Sequence, residues 1–240
     1  MTIEPTDLSD SPTCATWGIS KIVLDTKLII LYNIRMKILV ACEYSGIVRD
    51  AFIAKGHDAI SCDLIPTESP GPHYQGDVYD ILYDGWDLMV CHPPCQYICT
   101  SGMSWNKRRP ERIPLMEEAL VFVSDLWKSG IPKICLENPV GCINTRLDFM
   151  PKAQYVQPYQ FGHDASKKTG LWLKNLPPLI HTKYIEPRLV PGITLKPNKR
   201  WSNQRDNGKL IDAVPSKKLR AKARALTYTG IADAMADQWG

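Results

Sequence analysis

The chain has 240 residues, of which 44% are hydrophobic and 22% are charged, and its formal net charge is +4. This composition is typical of a globular protein with one domain and a sizeable core. The mild positive charge permits nucleic-acid binding but is not evidence for it. Eight cysteines without paired spacing do not indicate a disulfide framework, and the longest apolar run, Leu28 to Tyr32, is far too short to span a membrane.

Residues 1–35 differ in character from the rest of the chain. Met1 to Thr16 is polar, acidic and proline-bearing, unlike the basic start of a signal peptide, and Ile19 to Ile34 is apolar without a clear turn. We expect an N-terminal extension over residues 1–35 that is disordered or loosely packed. The residues leave open an added edge strand built from Ile19 to Leu24 and Lys27 to Tyr32.

From Met36 onward, short apolar runs alternate with helical patterns, as in a parallel sheet covered by helices on both faces. This alternation predicts a catalytic core over residues 36–174. The predicted strands are Ile38 to Cys42, Ala59 to Cys62, Asp87 to Cys91 and Lys133 to Leu136, and the predicted helices are Ile47 to Lys55 and Arg112 to Ser129.

The last part of the chain has weaker signals. Ala153 to Leu173 alternates as expected for a hairpin, with Tyr159 and Phe161 continuing the first strand. Two segments come after it: residues 175–215, which are rich in proline and basic side chains, and residues 216–240, which contain a predicted helix from Leu219 to Trp239 with a break near Thr229-Gly230.

Two polar motifs come directly after predicted strands. One is Cys91 to Gln96, which contains Pro-Pro-Cys, and the other is Glu137-Asn138-Pro139. The carboxyl ends of parallel strands meet at one edge of the sheet, where ligands bind. A thiolate can add to a carbon of a pyrimidine ring while a carboxyl group donates to the ring nitrogen that gains negative charge. We therefore predict Cys95 as a nucleophile and Glu137 as an acid whose pKa is raised by burial.

Each of these residues also has a purely structural interpretation. Cys95 could be a buried thiol, which is a common fate of cysteine, and Glu137 could cap a helix or form a salt bridge. A metal cluster of Cys91, His92, Cys95 and Cys99 is a further alternative. The regular spacing of its three cysteines is unlike that of a zinc knuckle or an iron–sulfur motif, so we predict no metal.

These motifs resemble those of the DNA (cytosine-5) methyltransferases, whose nucleophile lies in Pro-Cys-Gln and whose acid lies in Glu-Asn-Val. The resemblance runs from about Met36 to Gly240. The matching segments, in order, are Lys37 to Gly46, Ile60 to Asp63, Gly76 to Val78, Pro93 to Gln96, Glu137-Asn138 and Tyr228 to Ala236.

The resemblance implies a fold and a reaction. The implied fold is an α/β, class I S-adenosylmethionine-dependent methyltransferase-like (Rossmann-like) domain with a small recognition appendage. The implied reaction is methylation of cytosine at C5 in DNA through a covalent cysteine adduct. The compact chain is similar to phage or prophage members, which implies a cytoplasmic protein of a bacterial host cell. We expect a monomer that binds DNA and no membrane.

The resemblance also implies roles for individual residues. S-adenosylmethionine would contact the turn from Cys42 to Gly46, the ribose would bind Asp63, and the adenine amino group would bind Asp77. The full implied set for the cofactor is Cys42, Tyr44, Gly46, Asp63, Asp77 and Pro93. The implied set for the substrate is Gln96, Asn138, Lys167, Lys168, Lys199, Arg200 and Trp201.

The chain departs from the family pattern in three places. Of the glycines in the cofactor turn, only Gly46 remains, and Ser166 to Thr169 offers lysines where the family has arginines. The segment 175–215 is short, basic and bears Trp201, which could stack on a base, so we expect relaxed sequence specificity. Two alternatives stay open: an enzyme acting on a nucleotide or a hypermodified base, and a catalytically silent DNA-binding relative.

A chain that begins at Met36 should fold without the preceding residues, because the first predicted strand starts there. Its melting temperature should fall by less than about 4 °C, which corresponds to roughly 1 kcal/mol in a domain of this size. Calorimetry of the full and shortened chains measures the difference. A larger loss would show that the first 35 residues form an integral edge strand.

Overall fold

The computed structural model of the chain describes residues 35–106, 108–192, 197–204 and 226–240. The predicted extension therefore lies outside the described residues except for Arg35. Residues 205–225, which include the end of the segment 175–215 and the start of the predicted last helix, also lie outside them. All the strands and helices of the fold named in this section lie within the described ranges.

Seven strands form one sheet in the order β3-β2-β1-β4-β5-β7-β6. Strand β7 runs antiparallel to β5 and β6, whereas the β1–β2, β1–β4, β2–β3 and β4–β5 pairs are parallel. This mostly parallel arrangement is that of the Rossmann-like class I methyltransferase fold, so the predicted fold class is confirmed. The strands are β1 (Lys37–Ala41), β2 (Asp58–Asp63), β3 (His73–Gln75), β4 (Leu88–Cys91), β5 (Lys133–Pro139), β6 (Gln154–Val156) and β7 (Thr169–Lys174).

Helices cover both faces of this sheet. Successive residues of β1 point to opposite faces, so Leu39 packs on one side and Ile38 on the other. Helix α3 covers the first side, and helices α1 and α5 cover the second. None of the described helices is long and apolar enough to cross a membrane. The helices are α1 (Ile47–Ala54), α2 (Thr100–Met103), α3 (Arg112–Lys128), α4 (Ile143–Arg146) and α5 (Thr229–Trp239), and a small antiparallel pair is formed by β8 (Arg188–Val190) and β9 (Asn198–Arg200).

One predicted strand is shorter than expected. The predicted hairpin exists as β6 and β7, but Pro158–Gln160 forms a 3-10 turn instead of continuing the first strand through Tyr159 and Phe161. Proline has no N–H to donate to a strand ladder, which explains the early end. The predicted helix from Leu219 to Trp239 is described only from Leu226 onward. Within that part α5 begins at Thr229, at the predicted break, because Tyr228 is extended and the imidazole of His163 accepts a hydrogen bond from the N–H of Gly230 at 2.9 Å.

A buried guanidinium holds the loop that comes after β2. Arg49 on α1 is fully buried, and it donates to the hydroxyl of Ser61 at 3.1 Å and to the carbonyl of Ser69 at 3.0 Å. A Cβ at Gly46 or Gly71 would collide with this side chain, and both glycines have positive φ angles. The loop that flanks the carboxyl edge of β2 therefore depends on one cation.

Arg49→Met should destabilise the protein, because it removes the donor from the buried hydroxyl of Ser61 and from several partly buried acceptors while keeping most of the volume. Each acceptor left without a partner costs about 1–3 kcal/mol, so the free energy of unfolding should fall by at least roughly 2 kcal/mol. Urea denaturation measures the loss. Arg35→Met is the matched control, because the Arg35 side chain is 70% exposed and its loss should not be measurable. Equal effects of both changes would contradict the assignment.

Candidate active site

The register of three parallel strands brings the two polar motifs to one level. Ala41 of β1 pairs with Cys91 of β4, and Cys91 pairs with Leu136 of β5. The residues that come next, Cys42, His92 and Glu137, therefore lie side by side at the carboxyl edge of the sheet. The amide of His92 donates to the carbonyl of Ala41 at 3.0 Å, which continues the pairing to this point.

Cys95 lines a cavity of about 190 Å³ at this edge. The two prolines before it carry the chain out of β4, and the next residues form a helical turn in which the amide of Cys99 donates to the carbonyl of Cys95 at 2.9 Å. Cys91 is fully buried and Cys99 is 7% exposed, whereas Cys95 is half-buried. Of the three cysteines at positions 91, 95 and 99, Cys95, the predicted nucleophile, is thus the one that lines the cavity.

The thiol of Cys95 also contacts the thiol of Cys99. Cys95 donates a hydrogen bond to Cys99, which raises the pKa of Cys95 and lowers the pKa of Cys99 to about 5. Hydrogen bonds from Ser101 and Gly102 also favour the charged form of Cys99, although burial opposes it. The two thiols therefore influence each other's charge, and the hydrogen bonds at Cys99 favour the charged form there.

Glu137 lines the same cavity, and its side chain is only 14% exposed. Its Oε2 lies 3.2 Å from Nδ1 of His92. Burial alone would raise the pKa of Glu137, but the hydrogen bond and charge of His92, the charge of Lys167 and the hydroxyl of Thr169 together lower it. The prediction of a raised pKa was therefore wrong, because the sequence does not reveal these partners.

Asn138 ties the two motifs together. Its side chain is 1% exposed, and its Nδ2 donates to the carbonyl of Pro93 at 2.9 Å. Its Oδ1 is buried and has no hydrogen-bond partner in the described part of the chain. Asn138 lines the cavity as predicted for a substrate-binding residue, and it also holds the loop that carries Cys95.

Lys167 places a cation beside the carboxylate. It lines the cavity with Glu137, and its Nζ donates to the carbonyl of Leu226 at 3.1 Å. This contact brings the segment before α5 to the mouth of the site, where Leu226 and Thr227 complete the lining.

A second cavity of about 230 Å³ adjoins the first and shares Cys42 and Pro94 with it. The predicted cofactor residues Asp63 and Asp77 lie here, at the end of β2 and after β3. Three apolar residues that sequence reasoning missed complete the walls: Leu64, Val78 and Phe122. Phe122 belongs to the helical pattern of α3, which predicted only a core position.

This donor set fits S-adenosylmethionine. Carboxylates of Asp63 and Asp77 can accept from ribose hydroxyls and from an adenine amino group, and apolar walls suit the faces of the adenine ring. The connection to the first cavity would bring a bound methyl group toward Cys95. The second cavity is therefore chemically suited to the cofactor that the sequence motifs imply.

The turn between β1 and α1 differs from a glycine-rich turn that binds a phosphate or a carboxylate through its backbone amides. Cys42 has a φ of 58°, a conformation that favours glycine, and it stands at the start of the turn. The buried carboxylate of Glu43 accepts from the amide of Val48 at 2.8 Å and from that of Arg49 at 3.3 Å. The carboxylate of Glu43 therefore occupies the N-terminal amides of α1. Of the predicted turn residues, Cys42 and Tyr44 line the first cavity.

Several predicted residues lie away from both cavities. Gly46 is buried against Arg49, and its role in this conformation is to leave room for the guanidinium. Gln96 is exposed and accepts from Arg112 through its carbonyl at 3.0 Å. Lys168 lies 4.5 Å above the ring of Tyr155. Lys199 and Arg200 belong to β9, and neither lines a cavity of the site.

Trp201 does not present its ring for stacking on a base. It is 9% exposed and stacks on Tyr159 with ring centroids 4.1 Å apart and an angle of 10° between the planes. Its Nε1 donates to the carbonyl of Ile185 at 3.3 Å. The expectation of base stacking is corrected: Trp201 anchors β9 to the main body.

An exposed basic and aromatic patch lies just after Cys95 in the chain, and sequence reasoning missed it. Trp105 is 48% exposed, and the guanidinium groups of Arg108 and Arg109 lie 5.7 and 5.5 Å from its ring centroid. Arg112 lies beside them and contacts the ring of Tyr97 at 4.6 Å. The run Trp105 to Arg112 in the sequence, with four basic residues around an indole, was the available signal.

The described ranges contain no group of three or more His, Cys, Asp or Glu side chains placed to hold a metal ion. The thiol of Cys91 belongs to the apolar core under the sheet, with Met89 and Leu136. The metal-cluster alternative for the Cys/His segment has no geometric support among these residues.

No protein-family model and no curated protein sequence matches the chain. Among solved structures, a methyltransferase from Entamoeba histolytica aligns over 63% of this chain and 58% of its own, with 14% identity and a TM-score of 0.43. An rRNA methylase from Escherichia coli aligns over 64% of each chain, with 11% identity and a TM-score of 0.32. WbdD, solved with a kinase inhibitor, aligns over 71% of this chain and 44% of its own, with 11% identity and a TM-score of 0.32. The chain thus spans less than two thirds of each of these structures.

Trp201→Ala should lower stability, because it removes a buried indole together with its stacking on Tyr159 and its hydrogen bond to Ile185. The free energy of unfolding should fall by about 3–5 kcal/mol, the usual cost of truncating a buried tryptophan. Trp105→Ala is the matched control, since its exposed ring should contribute little to stability. A Trp201 variant as stable as the wild type would contradict the anchoring role. Denaturation of the three proteins measures the difference.

Proposed function

We propose that this protein methylates cytosine at C5 in DNA with S-adenosylmethionine as the methyl donor. The observation that carries the proposal is that Cys95 and Glu137 line one cavity and Asp63 and Asp77 line the adjoining one. A nucleophile, an acid and a donor set for the cofactor thus meet at the carboxyl edge of the sheet, where ligands bind in open α/β folds.

The first chemical step is addition to the base. The sulfur of Cys95 forms a bond to C6 of cytosine while its proton passes to Cys99, the thiol with which it shares a hydrogen bond. Glu137 gives a proton to N3, so that the ring does not hold a full negative charge. The added electron density at C5 makes that carbon nucleophilic.

S-adenosylmethionine, when bound, supplies an electrophilic methyl group for C5. After methyl transfer, the residues of the protein release the product. The proton on C5 leaves to water, the bond from Cys95 to C6 breaks, Cys95 recovers its proton from Cys99, and N3 returns its proton to Glu137. The catalytic residues end in their starting states.

The proton on Glu137 must arrive when the base binds. In the free site the pKa of Glu137 is lowered, so the carboxyl group is charged near neutral pH. A base that fills the cavity excludes water, which favours the neutral form of the acid. Substrate binding and protonation of Glu137 are therefore coupled in this account.

A nucleic acid is the substrate class that the surface favours over a free nucleotide. The patch of Trp105, Arg108, Arg109 and Arg112 continues from the loop that carries Cys95. Arginines and an exposed indole suit phosphates and bases on both sides of a target nucleotide. A cytosine within a duplex would have to flip out to reach Cys95.

One observation favours a second candidate, a catalytically silent DNA-binding relative. Glu43 occupies the N-terminal amides of α1, where a cofactor carboxylate could otherwise be held. Calorimetric titration with S-adenosylmethionine separates the two functions. Binding in the micromolar range supports the enzyme, and absence of binding supports the silent relative.

Duplex DNA containing 5-fluorocytosine, incubated with the protein and S-adenosylmethionine, should trap a covalent complex, because after methyl transfer the fluorine at C5 cannot leave as the proton does. Cys95→Ser should abolish the complex, since serine lacks a comparably nucleophilic group. Cys91→Ser is the control, because its thiol lies in the core away from the cavity. Denaturing gels and peptide mass spectrometry measure the adduct. An adduct that survives Cys95→Ser and is lost in Cys99→Ser would assign the chemistry to the other sulfur.

A further inference from the structure

His92 is the one imidazole in the lining of the first cavity as described, and neither proposed step uses it. Its Nδ1 lies 3.2 Å from Oε2 of Glu137, and the two side chains are 11% and 14% exposed. Its Nε2 is buried and finds no hydrogen-bond partner in the described ranges. A buried polar atom without a partner is costly, so this histidine is not explained by stability alone.

The register of strands β4 and β5 makes His92 and Glu137 neighbours. His92 comes directly after Cys91 and Glu137 directly after Leu136, and those two preceding residues pair across the parallel strands β4 and β5. The contact is thus made by two residues at the ends of rigid strands rather than by mobile surface side chains. Such a contact fixes the orientation of a carboxyl group with little loss of entropy on binding.

We propose that His92 is a positioning residue for Glu137, with Nδ1–H held on one carboxylate oxygen so that the other oxygen faces the base. This inference rests on the proposed function and deepens it. In the addition step the O–H bond of Glu137 breaks and an N–H bond forms at N3. The charge that remains on Glu137 is then stabilised by the donor at His92, which itself exchanges no bond.

Other groups besides His92 lower the pKa of Glu137, so His92 accounts for only part of the lowering. Lys167 contributes a charge from the segment before β7, and Thr169 contributes a hydroxyl from β7 itself. The thiols of Cys91, Cys95 and Cys135 lie close enough to be affected by the charge of Glu137. Lys167 and Thr169 remain when His92 is replaced, so the effect of His92 can be measured separately.

Two substitutions of His92 separate its hydrogen bond from its bulk. His92→Leu removes the donor, and His92→Asn keeps an N–H donor near the position of Nδ1. His57→Leu is the matched control, because His57 is also largely buried but contacts the amide of Met36 and not the cavity. Each variant is compared with the wild type in adduct formation on 5-fluorocytosine DNA and in NMR titration of the Glu137 carboxyl carbon.

His92 lowers the pKa of Glu137, so its removal should raise that pKa. We expect an upward shift in His92→Leu, a smaller one in His92→Asn and none in His57→Leu. The rate of adduct formation should fall about tenfold to hundredfold in His92→Leu, the range for one lost hydrogen bond to a charged group. His92→Asn should recover most of the rate.

The two readouts distinguish failure of this inference from failure of the proposed function. A Glu137 titration that is the same in His92→Leu and in the wild type overturns the inference, whether or not the DNA traps the protein. Wild-type protein that forms no adduct overturns the proposed function, and the titration then judges the role of His92 alone. A titration shift that His92→Asn reverses supports the inference in either case.

Discussion

The parallel pairing of β1, β4 and β5 is the constraint on which the rest of the site depends. Because Ala41, Cys91 and Leu136 lie at one level, the chain leaves three strands together and delivers Cys42, His92 and Glu137 to the same edge. The loop that carries Cys95 is then fixed from both sides. Asn138 binds the carbonyl of Pro93, and the turn after Cys95 is hydrogen-bonded internally. A shift of one residue in this register would exchange the faces of every strand side chain.

The electrostatic character of the site comes from pairs formed across that edge. Glu137 is buried, yet its pKa is lowered because His92, Lys167 and Thr169 surround it. Cys95 and Cys99 share a hydrogen bond that favours charge on Cys99. In both pairs a neighbour in the protein, and not solvent, decides which group holds the proton. The charges in the site are therefore set by contacts within the protein.

Polar residues that come directly after apolar runs predicted the part of the site that depends on the local sequence. Cys95, Glu137 and Asp63 each come after an apolar run, whereas Asp77 was implied only by the family resemblance of Gly76 to Val78. The structure places all four around two adjoining cavities. The mostly parallel sheet was predictable for the same reason. The antiparallel strand β7 was predictable only in outline from the alternating pattern. Thr169 of β7 and Lys167 just before it connect Glu137 to the last part of the chain.

Features that depend on contacts between distant residues could not be predicted. The residues around Trp201 in the sequence are basic, which predicts an exposed position. Its ring is buried instead, because it stacks on Tyr159, 42 positions earlier in the chain. Arg49 lies in an ordinary helical pattern, and only the fold reveals that Ser61 and Ser69 receive its hydrogen bonds. The lowered pKa of Glu137 likewise depends on His92, 45 positions away.

The proposed reaction places a methyl group on C5 of cytosine. The most direct measurement is mass spectrometry of nucleosides from duplex DNA incubated with the protein and S-adenosylmethionine that carries a deuterated methyl group. The account predicts labelled 5-methyl-deoxycytidine, absent when Cys95→Ser protein is used. Label on an exocyclic amine of adenine or cytosine would contradict it, because that chemistry needs no thiol adduct at C6.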